Sequence, residues 1–215
     1  MDSITKKIVV FSSDVVPQTN DPCHVVCKNE QDLIKTFCTY VKHIDPDILC
    51  IWNGEQFDIP YLVNRAKNLS ISLRGFSRYG EPRAEYAQDT AKWSCKVGGR
   101  ITLDMMDAFK KYNVGRGLRE SYGLKSVIAD KELLEGAAFE YNDIGYMLEK
   151  IVDERRFDEL IEYCKFDVIA LDTIDKTLGL YKFFDTIRFV AGGKFMDTLH
   201  NTKVIEMAWL HAGIK

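Results

Sequence analysis

Apolar and polar positions along the first part of the chain alternate between strand and helix periods. Residues 6–12 (KKIVVFS) and 24–28 (HVVCK) predict two short strands separated by the turn-forming PQTNDP. Asn29 is a typical N-cap, with Asp32 in the first turn of a following helix. The apolar residues at helical spacing in that helix are Leu33, Ile34, Phe37, Cys38, Val41 and Ile44.

The middle of the chain continues this alternation. Residues 47–52 (DILCIW) are almost continuously apolar, which predicts a strand buried on both faces. An Asn-Gly turn at residues 53–54 follows, and a helix then opens near Pro60, since proline is tolerated in a first turn. Residues 70–95 show no clear period and are interpreted as an irregular excursion or a hairpin.

The second half is predominantly helical. The predicted strands lie early in the chain, strands and helices alternate in the middle, and helices follow. This order predicts an α/β or α+β layered domain. The predicted elements are a strand at 96–103, a helix at 105–112, short helices around 118–129, and helices at 144–152, at 156–184 and from about 195.

Composition narrows the class of protein. A length of 215 residues fits one domain, and 46% hydrophobic residues can build a sizeable core. A formal net charge of −3 lacks the basic excess of non-specific DNA binders, so a polyanion would be held by a local basic patch or by metal ions. The six cysteines show no zinc-ribbon spacing and predict buried thiols in a reducing compartment.

The chain shows no long apolar window and no signal-peptide pattern at its first residues. We therefore expect a cytoplasmic protein without a membrane partner.

Asp58 is a first candidate site residue. Phosphodiester hydrolysis with two metal ions needs carboxylates from different elements, converging on cations about 3.5–4 Å apart. Asp58 comes just after the apolar strand and just before a helix, where such an acid could contribute. Taken alone, the residue is more typical of a helix cap than of a metal ligand.

Tyr163 and Asp167 form a second candidate pair. They are four residues apart in a helical segment, so they lie on one face, one turn apart. Together they could present a phenol and a carboxylate to a phosphate. The alternative is that Tyr163 packs in the core and Asp167 is solvated. The neighbours Ile161, Cys164 and Val168 are apolar, so Asp167 interrupts an otherwise apolar face and calls for a partner or a cation.

These two motifs resemble the second and third exonuclease motifs of family B DNA polymerases. NGEQFDIPYL at 53–62 resembles the second motif, and YCKFD at 163–167 resembles the third. The segments around them, including DPDILCIWN, GRITLDMMDAF and LRESYGLKSVIADKE, extend the resemblance over nearly the whole chain. The resemblance implies a ribonuclease-H-like fold, with a mixed sheet flanked by helices and a helical C-terminal part.

The function implied by the resemblance is a proofreading 3′–5′ exonuclease. It implies that Asp58 and Asp167 bind Mg²⁺ or Mn²⁺ and that Tyr163 helps to position the attacking water. Asn53 and Phe57 match motif positions that line a cleft for single-stranded DNA, where an aromatic ring can stack on any base. The partners implied are a DNA 3′ end and the remainder of a DNA polymerase chain.

The implied domain division is an exonuclease-like domain at residues 1–190 and a helical tail, or link toward a polymerase domain, at residues 191–215. Asp104 also matches an acidic position of the family. We interpret it as a helix cap rather than a metal ligand.

The family's first motif, Asp-x-Glu, has no clear counterpart. Ser12 and Asp14 are the only candidates, and they leave too few residues before Asp58 for the strands that should intervene. The simpler expectation is an N-terminally truncated domain, with the first strand and its acids before residue 1. A two-metal site without its bridging acid should lose most of its transition-state stabilisation, so we expect the isolated chain to be weak or inactive.

Two other classes of function stay open at this stage. One is a stand-alone exonuclease with a degenerate first motif, which requires Asp14 to lie near Asp58 and Asp167. The other is a non-catalytic module that binds DNA or a protein. Arg74, Arg78 and Arg83 in an aromatic loop could contact a nucleic-acid backbone, although a solvated surface loop is the simpler interpretation.

Overall fold

The computed structural model describes residues 1–2, 4–140 and 148–213. Its strands are β1 (Val10–Ser13), β2 (His24–Cys27), β3 (Ile48–Ile51), β4 (Arg83–Ala87), β5 (Lys92–Lys96) and β6 (Ile101–Asp104). Its α-helices are α1 (Glu30–Ile44), α2 (Asp58–Asn68), α3 (Met105–Tyr112), α4 (Leu124–Ile128), α5 (Leu148–Asp153), α6 (Phe157–Leu178), α7 (Leu180–Ala191) and α8 (Asn201–Gly213). Short 3₁₀ helices lie at Asn113–Arg116 and Phe195–Leu199.

The strands in the described ranges pair two by two. β1 pairs with β2 and β3 with β6, both in parallel, whereas β4 and β5 form an antiparallel hairpin. In the second pair Ile51 lies opposite Asp104. The helices, together with short parallel and antiparallel sheets, confirm the predicted α/β class and are consistent with a ribonuclease-H-like fold.

Strand β3 separates two hydrophobic clusters. Leu49 and Ile51 pack against buried residues of α1 and α2 and of the segment between α2 and β4. Ile48 and Trp52 pack against a second cluster, built from β6, α3, α6 and α7. Because successive strand residues point to opposite faces, β3 and β6 form the middle layer between two helical layers.

The structure confirms the helix predicted after Asn29, which is α1. Asn29 has an extended backbone, and its Oδ1 accepts a hydrogen bond from the Asp32 backbone N–H at 2.9 Å. The helix ends at Ile44, followed by Asp45 in the left-handed region at φ 48°. Side-chain capping at the start and a left-handed residue at the end explain why the local sequence located this helix well.

Several predicted boundaries were wrong. Residues 96–103 are not one strand, because β5 ends at Lys96 and a turn at 98–100 precedes β6. The predicted helix at 156–184 is divided at Gly179, which lies in the left-handed region at φ 63° and starts a new direction. Residues 118–123 are not helical. Residues 144–147 of the predicted helix at 144–152 lie outside the described part of the chain.

The prediction that β3 is fully buried was also wrong. Its residues are half-buried, and Cys50 is exposed, because β6 is its only hydrogen-bonded neighbour among the described strands. The Cys50 thiol is nevertheless crowded by protein atoms, since burial, with a smaller contribution from Asp175 of α6, raises its pKa to about 11. Helix α6 therefore runs close to β3.

The cysteine prediction holds for Cys27 and Cys38, which are buried, and all six described thiols are free. Helix α8 buries none of its described residues. No helix in the described ranges combines the length and the apolar character needed to cross a membrane.

Candidate active site

The carboxyl ends of β3 and β6 lie at the same edge because the two strands are parallel. Asp104, the last residue of β6, is 3% exposed and organises this edge. Its carboxylate accepts hydrogen bonds from the backbone N–H groups of Asn53 (3.0 Å), Glu55 (3.3 Å) and Met106 (3.1 Å). Asp104 thus caps α3, as predicted, and also fixes the turn that follows β3.

The turn itself has a demanding geometry. Asn53 adopts a positive φ of 57°, which Asn tolerates better than most residues. Gly54 is buried, and a Cβ built on it would lie 2.8 Å from the Asp58 Oδ2 atom and 2.8 Å from Ile51. The absence of a side chain at Gly54 therefore allows the Asp58 carboxyl group to pack against the turn.

Asp58 is the first residue of α2, and the N-cap position belongs to Phe57. No side chain in the described part of the protein caps the start of this helix, so the interpretation of Asp58 as a cap was wrong. Asp58 is exposed to solvent, although neighbouring protein atoms crowd its carboxyl group. This partial burial raises the pKa of the Asp58 carboxyl, and the charge of Asp104 raises it further.

Glu55 is a candidate that the sequence interpretation missed. Burial, followed by repulsion from Asp104 and Asp107, raises its pKa to about 7. Its only signal in the sequence was its place inside the motif, between Asn53 and Asp58. Acids with strongly raised pKa values cluster at functional sites, because proximity of like charges is costly unless a cation or proton offsets it.

The donor chemistry of this edge fits a hard divalent cation, since Asp58 and Glu55 offer carboxylate oxygens. The number of ligands is smaller than a complete site needs. Within residues 1–2, 4–140 and 148–213, no three His, Cys, Asp or Glu side chains lie close enough together to bind one metal ion. Asp58 can therefore contribute to an oxygen-ligand site, but the described acids do not complete one.

The degenerate first motif finds no support. Asp14 is exposed in the turn after β1, and it belongs to no metal-binding group among the described residues. Ser12 is buried, and its hydroxyl lies 2.7 Å from His24 Nε2. The His24 Nδ1 atom accepts a hydrogen bond from the Thr19 N–H at 3.3 Å, so Nε2 carries the proton and donates to Ser12. Ser12 thus takes part in a local structural network.

Tyr163 and Asp167 both lie on α6 and are half-buried. Asp167 is close enough to Cys164 to raise the pKa of that thiol, after the larger effect of burial. The buried residues Ile161 and Ala170 anchor the helix on either side of this turn. Asp175 of the same helix acts on the Cys50 thiol, so α6, which carries the third motif, approaches β3, the strand that leads to the second. That Asp58 and Asp167 share a cation stays a prediction.

Phe57 is 68% exposed at the start of α2, available for contact with a ligand. The preceding residue, Gln56, connects this segment to the β4–β5 hairpin. Its Nε2 donates to the Trp93 carbonyl oxygen at 3.1 Å, and its Oε1 accepts from the Trp93 N–H at 2.9 Å. The hairpin is therefore fixed beside the candidate site.

The arginine-containing loop is mainly structural. Arg78 donates hydrogen bonds to Asp45 at 2.7 Å and Asp47 at 2.8 Å, and Arg74 lies 3.6 Å from Glu81. Arg83 is exposed. Two of the three arginines are thus paired with acids, which supports the interpretation as a surface loop.

Together, the fold and this edge define an α/β domain with mutually repelling carboxyl groups at the ends of two parallel strands. Residues 3–127, more than half of the chain, match the family described as DNA polymerase family B, exonuclease domain. The chain therefore belongs to this family.

Individual relatives agree with the family. A DNA polymerase of Thermococcus litoralis is 33% identical over 88 residues, which cover 40% of this chain and 5% of the relative. The DNA polymerase delta catalytic subunit of Caenorhabditis elegans is 25% identical over 172 residues, 76% of this chain and 16% of the relative. The DNA-directed DNA polymerase of Enterobacteria phage T4 is 26% identical over 206 residues, 93% of this chain and 22% of the relative. The chain thus spans less than a quarter of the length of each of these three proteins.

Proposed function

We propose that this chain acts as a 3′–5′ exonuclease domain on single-stranded DNA, with weak activity by itself. The observation that carries the proposal is the position of Asp58 within the family's domain. It reaches solvent at the carboxyl edge of two parallel strands, beside Asp104 and a second acid with a raised pKa, Glu55. Removal of mismatched 3′ nucleotides would be its role within a DNA polymerase, and the remainder of that polymerase would be its partner.

Asp58 and Asp167 would hold the cofactor, Mg²⁺ or Mn²⁺. When bound, such an ion supplies Lewis-acid stabilisation of charge developing on the phosphate. The Tyr163 phenol, one helical turn from Asp167, would hydrogen-bond and orient the attacking water. Asn53 and Phe57 would hold the terminal nucleotide.

Glu55 would adjust the charge of this edge. At neutral pH its raised pKa of about 7 leaves part of the population protonated, which limits repulsion with Asp104. A bound cation would favour the ionised form of Glu55 and Asp58. Cation binding should therefore release protons from this group of acids.

The expected weakness follows from the ligand count. Two-metal hydrolysis depends on acids that bridge both ions, and the described residues provide no group of three ligands. Two carboxylates can bind one ion, but only weakly.

A direct test uses a 3′-labelled single-stranded oligonucleotide with Mg²⁺ or Mn²⁺. We expect slow release of labelled mononucleotide, and we expect Asp58→Asn and Asp167→Asn each to reduce the rate at least tenfold. Asn preserves the size of the side chain, so packing is retained while the charge is lost. Glu85→Gln is the matched control, because Glu85 is an exposed acid on the hairpin.

Equal rates for wild type, Asp58→Asn and Asp167→Asn would contradict the assigned ligands. Rapid release that depends on Asp167 would contradict the expected weakness and would mean that the chain contains a complete site.

A further inference from the structure

Helix α6 is joined to the N-terminal part of the chain by an ion pair between its two candidate site residues. Lys165, which lies between Tyr163 and Asp167 in the sequence, donates a hydrogen bond from Nζ to Asp21 Oδ2 at 2.7 Å. Asp21 lies 144 residues earlier, in the loop between β1 and β2. The pair therefore connects the turn that carries the third motif to the first parallel sheet.

This ion pair is largely shielded from water. The side chain of Lys165 is 20% exposed and that of Asp21 is 16% exposed. Fully exposed ion pairs contribute little, because water and salt screen their charges and two flexible side chains must be ordered. Partial burial reduces this screening, so the contact between Asp21 and Lys165 can resist movement of the helix.

The carboxylate of Asp21 is itself fixed by its loop. Its Oδ1 atom accepts a hydrogen bond from the Cys23 backbone N–H at 2.7 Å, and its carbonyl oxygen accepts one from the His24 N–H at 3.1 Å. The Cys23 carbonyl oxygen accepts a further hydrogen bond from the Val10 N–H of β1 at 2.8 Å. Lys165 is therefore bound by an acid that the sheet of β1 and β2 keeps in place.

Apolar packing alone holds α6 only on either side of the candidate residues. Its buried residues are Phe157 and Ile161 before them and Ala170 and Ile174 after them. The described residues between, 162–169, are half-buried or exposed. The ion pair with Asp21 thus adds a polar contact in the middle of the stretch that contains Tyr163 and Asp167.

Lys165 also lies on the opposite side of the helix from these two residues. With 3.6 residues per turn, a position two residues away lies about 200° around the helix axis. A contact on that side restrains rotation of α6 about its axis. The directions in which Tyr163 and Asp167 point depend on this rotation.

Glu162 provides a comparison within the same helix. Its carboxylate also accepts a hydrogen bond from Lys165 Nζ at 2.7 Å, but its side chain is 51% exposed. A pair three residues apart on one helix can stabilise that helix, but it cannot fix the helix relative to its neighbours. Only the contact with Asp21 can do so.

We propose that Asp21 and Lys165 are positioning residues for the exonuclease reaction, whose ion pair sets the orientation of α6 and thereby of Asp167 and Tyr163. The proposal rests on the proposed function, since it concerns the same cation and the same attacking water. It extends that function to a residue of the β1–β2 loop, outside both motifs.

The test measures nucleotide release by the full 215-residue chain from a 3′-labelled single-stranded oligonucleotide over a series of Mn²⁺ concentrations. Lys165→Met removes the charge but keeps a long side chain, and Asp21→Asn keeps an acceptor for the Cys23 N–H. Loss of groups that orient metal ligands weakens metal binding or activity by about 10–100-fold. Since this pair acts at one remove, we expect each variant to raise the Mn²⁺ concentration for half-maximal release by about threefold to tenfold.

Three further variants separate positioning from general stabilisation. Lys165→Arg keeps the charge and the reach, and it should retain the wild-type Mn²⁺ dependence. Glu162→Gln removes the pair within the helix and should also leave this dependence unchanged. The double variant Asp21→Asn/Lys165→Met should be no more impaired than the more impaired single variant, because both changes remove the same contact.

An unchanged Mn²⁺ dependence in both Lys165→Met and Asp21→Asn would overturn the positioning role and leave the exonuclease proposal intact. A lower maximal rate that matches the folded fraction, measured by urea denaturation, would overturn it as well, because the pair would then only stabilise the fold. Additive losses in the double variant would show that the two residues act separately, against the proposal. If wild type released no nucleotide at any Mn²⁺ concentration, the exonuclease function itself would fail, and the positioning role with it.

Discussion

At the scale of single residues, the close approach of Gly54 to Asp58 predicts that a side chain at position 54 destabilises the turn. In Gly54→Ala the new methyl group would lie 2.8 Å from the Asp58 carboxyl and from Ile51, so the turn or the carboxyl group must shift. We expect a loss of about 1–3 kcal/mol in the free energy of unfolding, as for other overpacked sites. Any metal-dependent activity should also fall. Urea denaturation and the oligonucleotide assay measure the two effects.

Gly115→Ala is the matched control for this change. A Cβ at Gly115 meets no atom within 4 Å, and its backbone does not require a positive φ. The interpretation of the turn would be contradicted if the two substitutions had equal effects on stability.

The raised pKa of Glu55 predicts that the stability of the fold depends on pH. Its pKa rises from 4.5 to about 7 on folding, so between these values the folded chain holds a proton that the unfolded chain has lost. The contribution of Glu55 to stability is therefore fully present below about pH 4.5, declines as the pH rises through this window, and is lost above pH 7.

Glu55→Gln removes that titration. We expect the stability of the variant relative to wild type to increase from pH 5 to pH 8, by at most about 3 kcal/mol, because one pKa unit corresponds to about 1.4 kcal/mol. Urea midpoints in EDTA measure the difference. Glu85→Gln should show no such trend, and a flat difference for Glu55→Gln would mean that its pKa is not raised.

The contrast between Asp104 and Glu55 shows what the sequence could predict at this scale. The cap function of Asp104 depends on the backbone two residues away, so local sequence sufficed. The raised pKa of Glu55 depends on burial and then on Asp104 and Asp107, about fifty residues later, which approach because β3 and β6 pair. No local pattern signals such a contact.

At the scale of elements, the attachment of the β4–β5 hairpin is testable. An isolated two-stranded hairpin is marginally stable, and Gln56 supplies two side-chain hydrogen bonds to the Trp93 backbone. We expect Gln56→Ala to cost about 1–2 kcal/mol locally, since two hydrogen bonds are lost. Hydrogen exchange of amides in residues 92–96 should accelerate, with little change elsewhere.

Gln88→Ala is the corresponding control, because Gln88 is an exposed glutamine next to β4 in the same hairpin. Uniform acceleration across the chain, rather than at the hairpin, would show that Gln56 supports the whole fold instead of this attachment.

Helices and strands differed in how far the sequence predicted them. Helices α1 and α3 were located by apolar periodicity and by the capping residues Asn29 and Asp104, all of which are local signals. The positions of β1, β2 and β3 were found approximately, but the pairing of β3 with β6 rather than with β1 or β2 is a long-range choice that no short window records. The exposure of Cys50 was missed for the same reason.

At the scale of the whole molecule, the two hydrophobic clusters determine which parts can be removed. Phe195 is 5% exposed and Thr198 is fully buried, and Phe195 belongs to the cluster of β6, α3, α6 and α7. Helix α8 begins only three residues after Thr198 and buries none of its described residues. The last strong connection to the core is therefore the 3₁₀ helix at Phe195–Leu199.

The burial of Phe195 and the exposure of α8 make it possible to test the domain boundary predicted near residue 190. Deleting residues 201–215 removes little buried surface and should change the free energy of unfolding by less than about 1 kcal/mol. Deleting residues 192–215 also removes Phe195, whose loss from a packed core should cost about 3–5 kcal/mol. Urea denaturation gives both values, and Phe195→Ala in the full chain should reproduce most of the larger loss. If the longer deletion were as stable as the shorter one, the tail would be separable at residue 191, as the sequence predicted, and the packing of Phe195 would contribute nothing to the domain.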